Sequence, residues 1–259
     1  MEESPIQIRE VWAYNLDEEL TLISKLAEKY TFVGMDTEFP GFLAKSPQSF
    51  QPKEQRYQVM STNINLTHII QIGITLGDTN GELCKPCCTW QFNFKFKLTE
   101  SLYSPQAINL LKQAEIDFTR FEQEGIESID FAALLFASGL ILNPKVVWVC
   151  FHGSYDFGYL LKMLSGSPLP FSEEEFMVQV SKYFPNFYDL KYVVSKYESK
   201  SSGLQETANE LGVKRFGTQH QAGSDSFVTL LAFYKYMEFK NHGKYTSEMF
   251  RNKLFGFSS

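Results

Sequence analysis

Two kinds of segment alternate along this chain, and together they predict an α/β protein. Short apolar runs with β-branched residues occur at 31–39 and 146–151, and such runs are typical of buried strands. Apolar residues at helical spacing mark the other segments, which are 16–30, 155–161, 204–211 and 226–237. The 259 residues are 44% hydrophobic, enough for a large core, and no Gly/Ser/Pro-rich linker divides them. We therefore expect a single α/β domain over residues 1–259.

The first helical pattern places five apolar residues on one side of a helix. These residues are Leu16, Leu20, Ile23, Leu26 and Tyr30. Their spacing is typical of a helix that packs one face against a sheet. The same surface could equally border the binding site of a scaffold protein, and the sequence leaves both interpretations open.

The first predicted strand carries two acids separated by one residue, Asp36 and Glu38. Because side chains alternate across a strand, both carboxylates project from one face and repel each other unless a cation lies between them. Mg²⁺ takes oxygen ligands and keeps several waters, so a few carboxylates and a substrate phosphate can complete its coordination. The ordinary alternative is that one acid lies at an exposed strand end and the other caps the turn at Pro40 and Gly41.

A polar segment at 43–58, which contains Pro47 and Pro52, is predicted to be a loop near the catalytic edge that carries these two acids. Whether this loop gates the site or only connects two elements stays open.

Three of the four cysteines lie close together at Cys84, Cys87 and Cys88, and a C-x-x-C spacing is half of many zinc sites. The second half is missing, since only Cys150 and His152 remain as candidates, inside the expected core. We therefore expect reduced thiols in a reducing compartment rather than a zinc site.

The second predicted strand leads directly into a helix, and Asp156 lies at this junction. An acid in the first turn of a helix also complements the helix dipole, a use worth about 0.5 kcal/mol that is compatible with metal binding. His152, four residues earlier, is expected to be hydrogen-bonded within the protein rather than to contact the site.

The third segment begins with the helix predicted at 204–211, for which Gly212 is a plausible terminator. His220 and Asp225 then precede a strongly apolar helix predicted to start near Ser226. Asp225 can supply a metal ligand while His220, on the preceding loop, reaches an attacking water and takes its proton. The alternative is an exposed loop histidine followed by an N-cap formed by Asp225 with Ser224.

The order Asp-x-Glu, a mid-chain Asp, and His followed five residues later by Asp resembles the histidine-containing branch of the DEDD superfamily of 3′–5′ exonucleases. The stretches MDTEFPG, IIQIGITL, WQFNFKF, FHGSYDFGYLLK and HQAGSDS further resemble the CCR-associated factor one (Pop-two) deadenylases, catalytic subunits of the CCR-NOT complex. This similarity runs from about Ile8 to Phe257. One departure is Ser154, because the family pattern has glycine immediately before the motif tyrosine, whereas here Gly153 comes one residue earlier.

The resemblance implies a ribonuclease H-like fold, in which a mixed central sheet carries helices on both faces and an acidic site at one end of its strands. It implies shortening of mRNA poly(A) tails from the 3′ end with release of AMP. When the family's site residues are carried over to the matching motif positions, four acids would hold two divalent metal ions, Mg²⁺ or Mn²⁺, and His220 would be the general base. These acids are Asp36, Glu38, Asp156 and Asp225.

The same resemblance implies three partners: poly(A) RNA, the NOT scaffold subunit, and a second deadenylase subunit of the CCR-NOT complex. The implied locations are the cytoplasm and the nucleus, including cytoplasmic mRNA-decay foci. No contact with DNA is expected. No contact with a membrane is expected either, because the apolar stretch at 131–142 is too short to span a bilayer and the first residues are acidic and polar.

Aromatic residues beside the predicted ligands could stack on adenine, as aromatics do in single-strand binders, although core packing could explain at least half of them. These candidates are Phe39, Phe42, Tyr155 and Phe157. A modest phosphate-attracting face is expected from five basic residues, against the alternative of ordinary solvated side chains. They are Lys191, Lys196, Lys200, Lys214 and Arg215. Asp189 is expected to cap the helix that follows it rather than to bind metal.

The net charge of −6 is unusual for an RNA enzyme, since nucleic-acid binders are normally basic. Residues 1–190 carry 14 basic and 24 acidic side chains, whereas residues 191–259 carry 10 and 6, so the net charges are −10 and +4. We therefore expect weak intrinsic RNA affinity, with partners supplying much of the recruitment. Two alternatives stay open: a 3′–5′ exonuclease acting on other nucleic acids, and a protein that is mainly an adaptor within an RNA-decay complex.

Overall fold

The computed structural model describes residues 7–45, 53–198, 202–240 and 244–257. The strands in these ranges are β1 Ile8–Val11, β2 Phe32–Glu38, β3 Gln71–Gly77, β4 Thr89–Asn93, β5 Val147–Cys150 and β6 Phe187–Asp189. The helices are α1 Leu16–Ala27, α2 Lys53–Leu66, α3 Pro105–Gln113, α4 Phe118–Glu124, α5 Ser128–Ala137, α6 Ser154–Ser165, α7 Glu173–Tyr183, α8 Leu190–Ser195, α9 Leu204–Glu210 and α10 Ala222–Lys240. Across these ranges, no helix is both long and apolar enough to cross a bilayer.

The strands form one mixed sheet in the order β1-β4-β3-β2-β5-β6. β3 is antiparallel to both of its neighbours, β2 and β4, whereas β1 is parallel to β4 and β5 is parallel to both β2 and β6. In the register of the central pair, Asp36 lies opposite Gly73 and Glu38 lies opposite Gln71. The predicted mixed central sheet is therefore confirmed.

The two faces of the sheet differ in chemistry because the strand sequences alternate. One face is apolar, and its buried residues include Val33, Met35, Ile72, Ile74, Trp90 and Phe92. α1 and α5 cover this face: the Trp90 indole N–H donates to Glu19, and the Phe92 ring lies 5.0 Å from that of Phe131.

Apart from Phe32 at the start of β2, the opposite face, called the polar face below, carries small and polar residues on β2, β3 and β4. They are Gly34, Asp36, Glu38, Gln71, Gly73, Thr75, Thr89, Gln91 and Asn93. α10 packs on this side, where Thr75 Oγ1 and Ser226 Oγ are 2.9 Å apart. Helices thus lie on both faces, as expected.

β6 is an edge strand, and the C-terminal segment covers its free side. The backbone N–H of Asn252 donates to the Phe187 carbonyl (2.9 Å), and the Phe187 N–H donates to Asn252 Oδ1 (3.0 Å). Both outward-facing backbone groups of Phe187 are therefore hydrogen-bonded.

Two predicted boundaries were wrong. The last long helix begins at Ala222 rather than near Ser226, so Asp225 lies inside its first turn. Within 43–58, residues from Lys53 onwards are helical and belong to α2, whose buried residues Tyr57, Met60 and Ile64 follow helical spacing. The loop prediction for Pro47 and Pro52 lies outside the described residues.

Candidate active site

The end of β2 supplies two of the predicted acids. Asp36 and Glu38 project from the polar face, while Thr37 between them points to the opposite side. The predicted common orientation of the two carboxylates follows directly from this strand geometry. β2 is also a central strand, so elements from both faces of the sheet can approach its end.

Asp156 reaches the same strand end from the apolar face. It lies in the first turn of α6, where the helix dipole favours a carboxylate, and it is buried. Thr37 Oγ1 donates a hydrogen bond of 2.6 Å to Asp156 Oδ1. The threonine between the two β2 acids therefore fixes the third one.

Asp225 and His220 approach from the polar face. Asp225 is buried in the first turn of α10, and its Oδ2 accepts a 3.1 Å hydrogen bond from the backbone N–H of His220. Ligand atoms of Glu38, His220 and Asp225 all lie within 4.8 Å of one another. The histidine predicted from the preceding loop is therefore beside two of the acids.

The four acids influence one another electrostatically. Removal from water raises the pKa of Asp36 well above its usual range, and the negative charges of the other three acids raise it further. Burial likewise raises the pKa of Glu38, with contributions from Asp225 and Asp156. Burial raises the pKa of Asp156 to about 7, although the Thr37 hydrogen bond opposes the shift. Crowded carboxylates of this kind favour the arrival of cations.

One cation of the protein already lies at this cluster. Arg215 Nη1 donates to Asp225 Oδ1 and to Ser224 Oγ (2.8 Å), and its Nε donates to Gln205 Oε1 (2.6 Å). The guanidinium charge lowers the pKa of both Asp36 and Glu38. Arg215 is thus not an ordinary solvated side chain, because it is 14% exposed and paired with a site acid, and its attraction for phosphate stays a prediction.

Three of the four predicted stacking aromatics form a cluster beside the acids. The Phe39 and Tyr155 rings are stacked 5.1 Å apart, and Phe42 meets Tyr155 edge-on at 5.1 Å. Phe42 is 47% exposed, whereas Phe39 and Tyr155 are partly buried. Phe157 is fully buried and its ring contacts Phe184 and Phe187, so its predicted RNA contact is wrong.

The described lysine candidates lie over aromatic rings or are exposed. Lys191 Nζ lies 5.1 Å from the centre of the Phe255 ring, and Lys196 Nζ lies 4.6 Å from that of Tyr192. Lys214 is exposed, and Lys200 lies outside the described residues. Their attraction for phosphate stays a prediction.

Asp189 caps α8 as predicted, since its side chain accepts from the Lys191 N–H. It also accepts from the backbone N–H groups of His152 (2.7 Å), Gly153 (3.3 Å) and Phe255 (2.9 Å). Asp189 therefore fixes the turn that leads into α6 and Asp156.

The departure at Gly153 and Ser154 leaves α6 intact. The positive φ in this turn, +63°, is at His152, whereas Gly153 has φ −76° and Ser154 is helical. Gly153 is required for a different reason, because a Cβ there would lie 2.1 Å from Cys150 Sγ. His152 is exposed rather than part of the core.

The cysteines are buried free thiols, and in the described ranges none of them belongs to a group of three or more His, Cys, Asp or Glu side chains close enough to hold one metal ion. Burial raises the pKa of Cys84 to about 12.

Sequence reasoning missed Thr37, the contact of Arg215 with Asp225, and two strand glutamines under α10. The signal for the glutamines is visible, because Gln71 and Gln91 interrupt otherwise apolar positions in IIQIGITL and WQFNFKF.

Two segments of the chain, residues 11–132 and 136–233, match the family model described as CAF1 family ribonuclease. The chain belongs to the CAF1 ribonuclease family. Both matched segments contain predicted site residues, since Asp36 and Glu38 lie in the first and Asp156, His220 and Asp225 in the second.

Members of this family and their solved structures align over nearly the whole chain. Poly(A) ribonuclease pop2 of Schizosaccharomyces pombe is 44% identical over 253 residues, covering 97% of this chain and 75% of the relative. The structure of S. pombe Pop2p in its Mg²⁺- and Mn²⁺-bound form matches with a TM-score of 0.91 and 42% identity, covering 96% of this chain and 99% of that one. A chain in the structure of the yeast NOT1 MIF4G domain co-crystallised with CAF1 matches with a TM-score of 0.84 and 31% identity, covering 98% and 100%. The expected ribonuclease H-like fold is confirmed.

Proposed function

We propose that this protein is a poly(A)-specific 3′–5′ exoribonuclease that shortens mRNA poly(A) tails and releases AMP. The observation that carries the proposal is the convergence of four acids and His220 at the end of β2 in a CAF1 family ribonuclease. A relative 44% identical to this chain is a poly(A) ribonuclease, which supports the substrate.

The donor set fits two divalent ions, Mg²⁺ or Mn²⁺. Carboxylate oxygens are the ligands these hard cations prefer, and the ligand atoms of Glu38 and Asp225 lie within 4.8 Å of each other, close enough to share one ion. The residues proposed as ligands are Asp36, Glu38, Asp156 and Asp225. The Mg²⁺- and Mn²⁺-bound form of S. pombe Pop2p supports the choice of ions.

Bound divalent ions would supply activation of a water and stabilisation of the leaving 3′ oxygen. The chain itself supplies no covalent nucleophile in this mechanism. His220 takes a proton from the attacking water at the imidazole nitrogen that faces Glu38 and Asp225. Thr37 and the two helix first turns hold the acids in place while the phosphodiester is hydrolysed.

The aromatic cluster is the proposed contact for the 3′-terminal adenines. Phe39 follows Glu38 and Tyr155 precedes Asp156, so a base stacked here would place its phosphate near the acids. Phe42 is the exposed member and offers the accessible ring face. Lys191 remains a proposed phosphate contact.

Further proposals concern partners and location. We propose binding to a NOT scaffold, supported by the match to the co-crystal of the yeast NOT1 MIF4G domain with CAF1. We also propose a second deadenylase subunit of the CCR-NOT complex as a partner. The proposed locations are the cytoplasm, the nucleus and cytoplasmic mRNA-decay foci, and both proposals rest on the family resemblance alone.

The test is cleavage of a 5′-labelled RNA that ends in oligo(A), with Mg²⁺ or Mn²⁺, beside RNAs ending in oligo(U) and oligo(C). We expect a ladder that shortens from the 3′ end, stops at the first non-A residues, and disappears in Asp36→Ala. Equal digestion of every tail would identify a general exonuclease.

Absence of cleavage with either ion in a folded protein would favour an adaptor. In that case, binding of a NOT scaffold fragment is measured for the wild type and for Asp36→Ala. An adaptor would bind the fragment equally well in both forms.

A further inference from the structure

The first turn of α10 is capped by side chains from the sheet. The Ala222 N–H donates to Gln71 Oε1 (3.2 Å), and the Gly223 N–H donates to Gln91 Oε1 (2.9 Å). Free N–H groups at a helix start are usually satisfied by a side chain just before the helix. Here the caps come from β3 and β4, so the helix start is fastened to two central strands.

A third glutamine joins these caps to the loop before the helix. Gln221 Oε1 accepts from the side-chain amides of Gln71 (3.0 Å) and Gln91 (2.8 Å). Its own amide nitrogen donates to the Ala114 carbonyl (2.6 Å). The three residues Gln71, Gln91 and Gln221 are called the glutamine cluster below. Each side-chain amide in it accepts through its oxygen and donates through its nitrogen, which fixes each side chain in one orientation.

The fit beneath the helix start is also tight. A Cβ at Gly73 would lie 1.8 Å from the Ala222 carbonyl oxygen, so only glycine allows α10 to come this close to β3. Because Gly73 lies opposite Asp36 in the sheet register, the capped turn sits beside the β2 acids. A displacement of the turn would change its distance to the site.

Both site residues of this region depend on Gln221. His220 directly precedes it with φ +64°, a left-handed conformation that is strained for a non-glycine residue and persists only where its surroundings enforce it. Asp225 lies one helical turn after Gln221, and its N–H donates to the Gln221 carbonyl (3.0 Å). Holding Gln221 thus holds the histidine and the acid together.

We propose that Gln71, Gln91 and Gln221 are positioning residues of the nuclease, which fix His220 and Asp225 against the acids of β2. They touch neither the reacting atoms nor, in this proposal, the metal ions. This inference rests on the proposed function. Misplacement of a catalytic group by about 1 Å can cost on the order of 10²-fold in rate, so loss of the caps should affect turnover rather than substrate binding.

The test uses Gln91→Met and Gln71→Met, which keep the approximate length of the side chain but remove every hydrogen bond. The matched control is Thr75→Val. Thr75 lies on the same polar face, and the substitution removes its hydrogen bond with Ser226 (2.9 Å), which lies further along α10. For each variant we measure thermal unfolding, kcat and KM on oligo(A), and the ¹⁵N resonances of His220 in histidine-labelled protein. The chain has 4 histidines, and His220→Gln assigns the signal.

We expect both methionine variants to lower kcat by about 10- to 100-fold with KM within about threefold, and to shift the His220 resonances. Thr75→Val should lower the melting temperature comparably, yet keep kcat within about twofold and leave those resonances in place. Glutamine variants that lose stability while kcat and the His220 signals stay unchanged would overturn the proposal. If wild-type protein cleaves no RNA, the proposed function fails, and the His220 signals alone then decide whether the cluster positions this residue.

Discussion

Asp189 and the acids at the end of β2 are carboxylates held away from water, but the protein treats them in opposite ways. Asp189 accepts from several backbone N–H groups, among them those of His152, Gly153, Lys191 and Phe255. Burial raises the pKa of Asp189, and these donors oppose the shift. Burial also raises the pKa of Asp36, but there the neighbouring acids add to the shift.

The difference separates a structural carboxylate from a functional one. Backbone donors compensate a buried charge permanently, so Asp189 stabilises the fold without any ligand. The acid cluster is compensated only in part by Arg215, and until divalent cations bind it costs folding free energy. The strength of this contrast can be measured.

The largest expected effect is on activity, from Asp36→Ala. Removing one proposed ligand should lower the rate of oligo(A) hydrolysis by roughly 10³-fold or more, about 4 kcal/mol of transition-state stabilisation. Stability without metal should be unchanged or slightly higher, because repulsion among the remaining acids falls. Single-turnover cleavage and urea unfolding in a chelator measure both, and a rate within tenfold of wild type would refute the ligand assignment.

The next largest effect is on stability, from Asp189→Asn. The asparagine replaces an acceptor oxygen with an NH₂ group that faces backbone donors, so we expect a loss of about 2–4 kcal/mol in the free energy of unfolding. Asp117→Asn is the control, since Asp117 is an exposed N-cap whose side chain accepts from the Thr119 N–H, and asparagine caps equally well. Urea unfolding gives both values, and equal losses in the two variants would show that burial of Asp189 is unimportant.

Arg215→Gln removes the cation that pairs with the site acid Asp225. Loss of its ion pair with Asp225 should lower the metal-free stability by about 2 kcal/mol, because the acid cluster loses its counter-charge. Added Mn²⁺ should raise the melting temperature of this variant more than that of wild type. Lys214→Gln, an exposed neighbour, should behave as wild type; an identical Mn²⁺ response in all three proteins would exclude this role.

The smallest expected effect is the pH dependence of metal-free stability. The pKa of Asp156 is about 7 when folded and near 3.9 when unfolded, so the folded state binds more protons between these values. The contribution of Asp156 to stability should therefore fall as the pH rises from about 4 to about 7, and then level off. Urea unfolding between pH 5 and pH 8 should show a decrease on the order of 2 kcal/mol that is smaller in Asp156→Asn; parallel pH curves would contradict the shift.

Local patterns predicted the parts of the site that depend on local geometry. Alternation along β2 correctly placed Asp36 and Glu38 on one face, and helix-start patterns located Asp156 and Asp225. Phe157 was misassigned because neighbours on a helix point in different directions, and its ring turns into the core while Tyr155 stays near the acids.

Contacts between distant segments could not be predicted in the same way. Arg215 lies in a segment without periodicity, so no pattern indicates the direction of its side chain. The glutamine cluster joins residues 150 positions apart, Gln71 and Gln221, and depends on a helix start that the hydrophobic pattern placed four residues too late.

The pairing of Asn252 with Phe187 has a consequence for self-association. An open edge strand offers unpaired backbone groups to any other extended chain and is a common starting point for aggregation. Here a single asparagine mimics a neighbouring strand and occupies both groups of Phe187. Shortening the chain before Asn252 would therefore unmask a template for intermolecular β-pairing, at the side of the sheet where β6 lies.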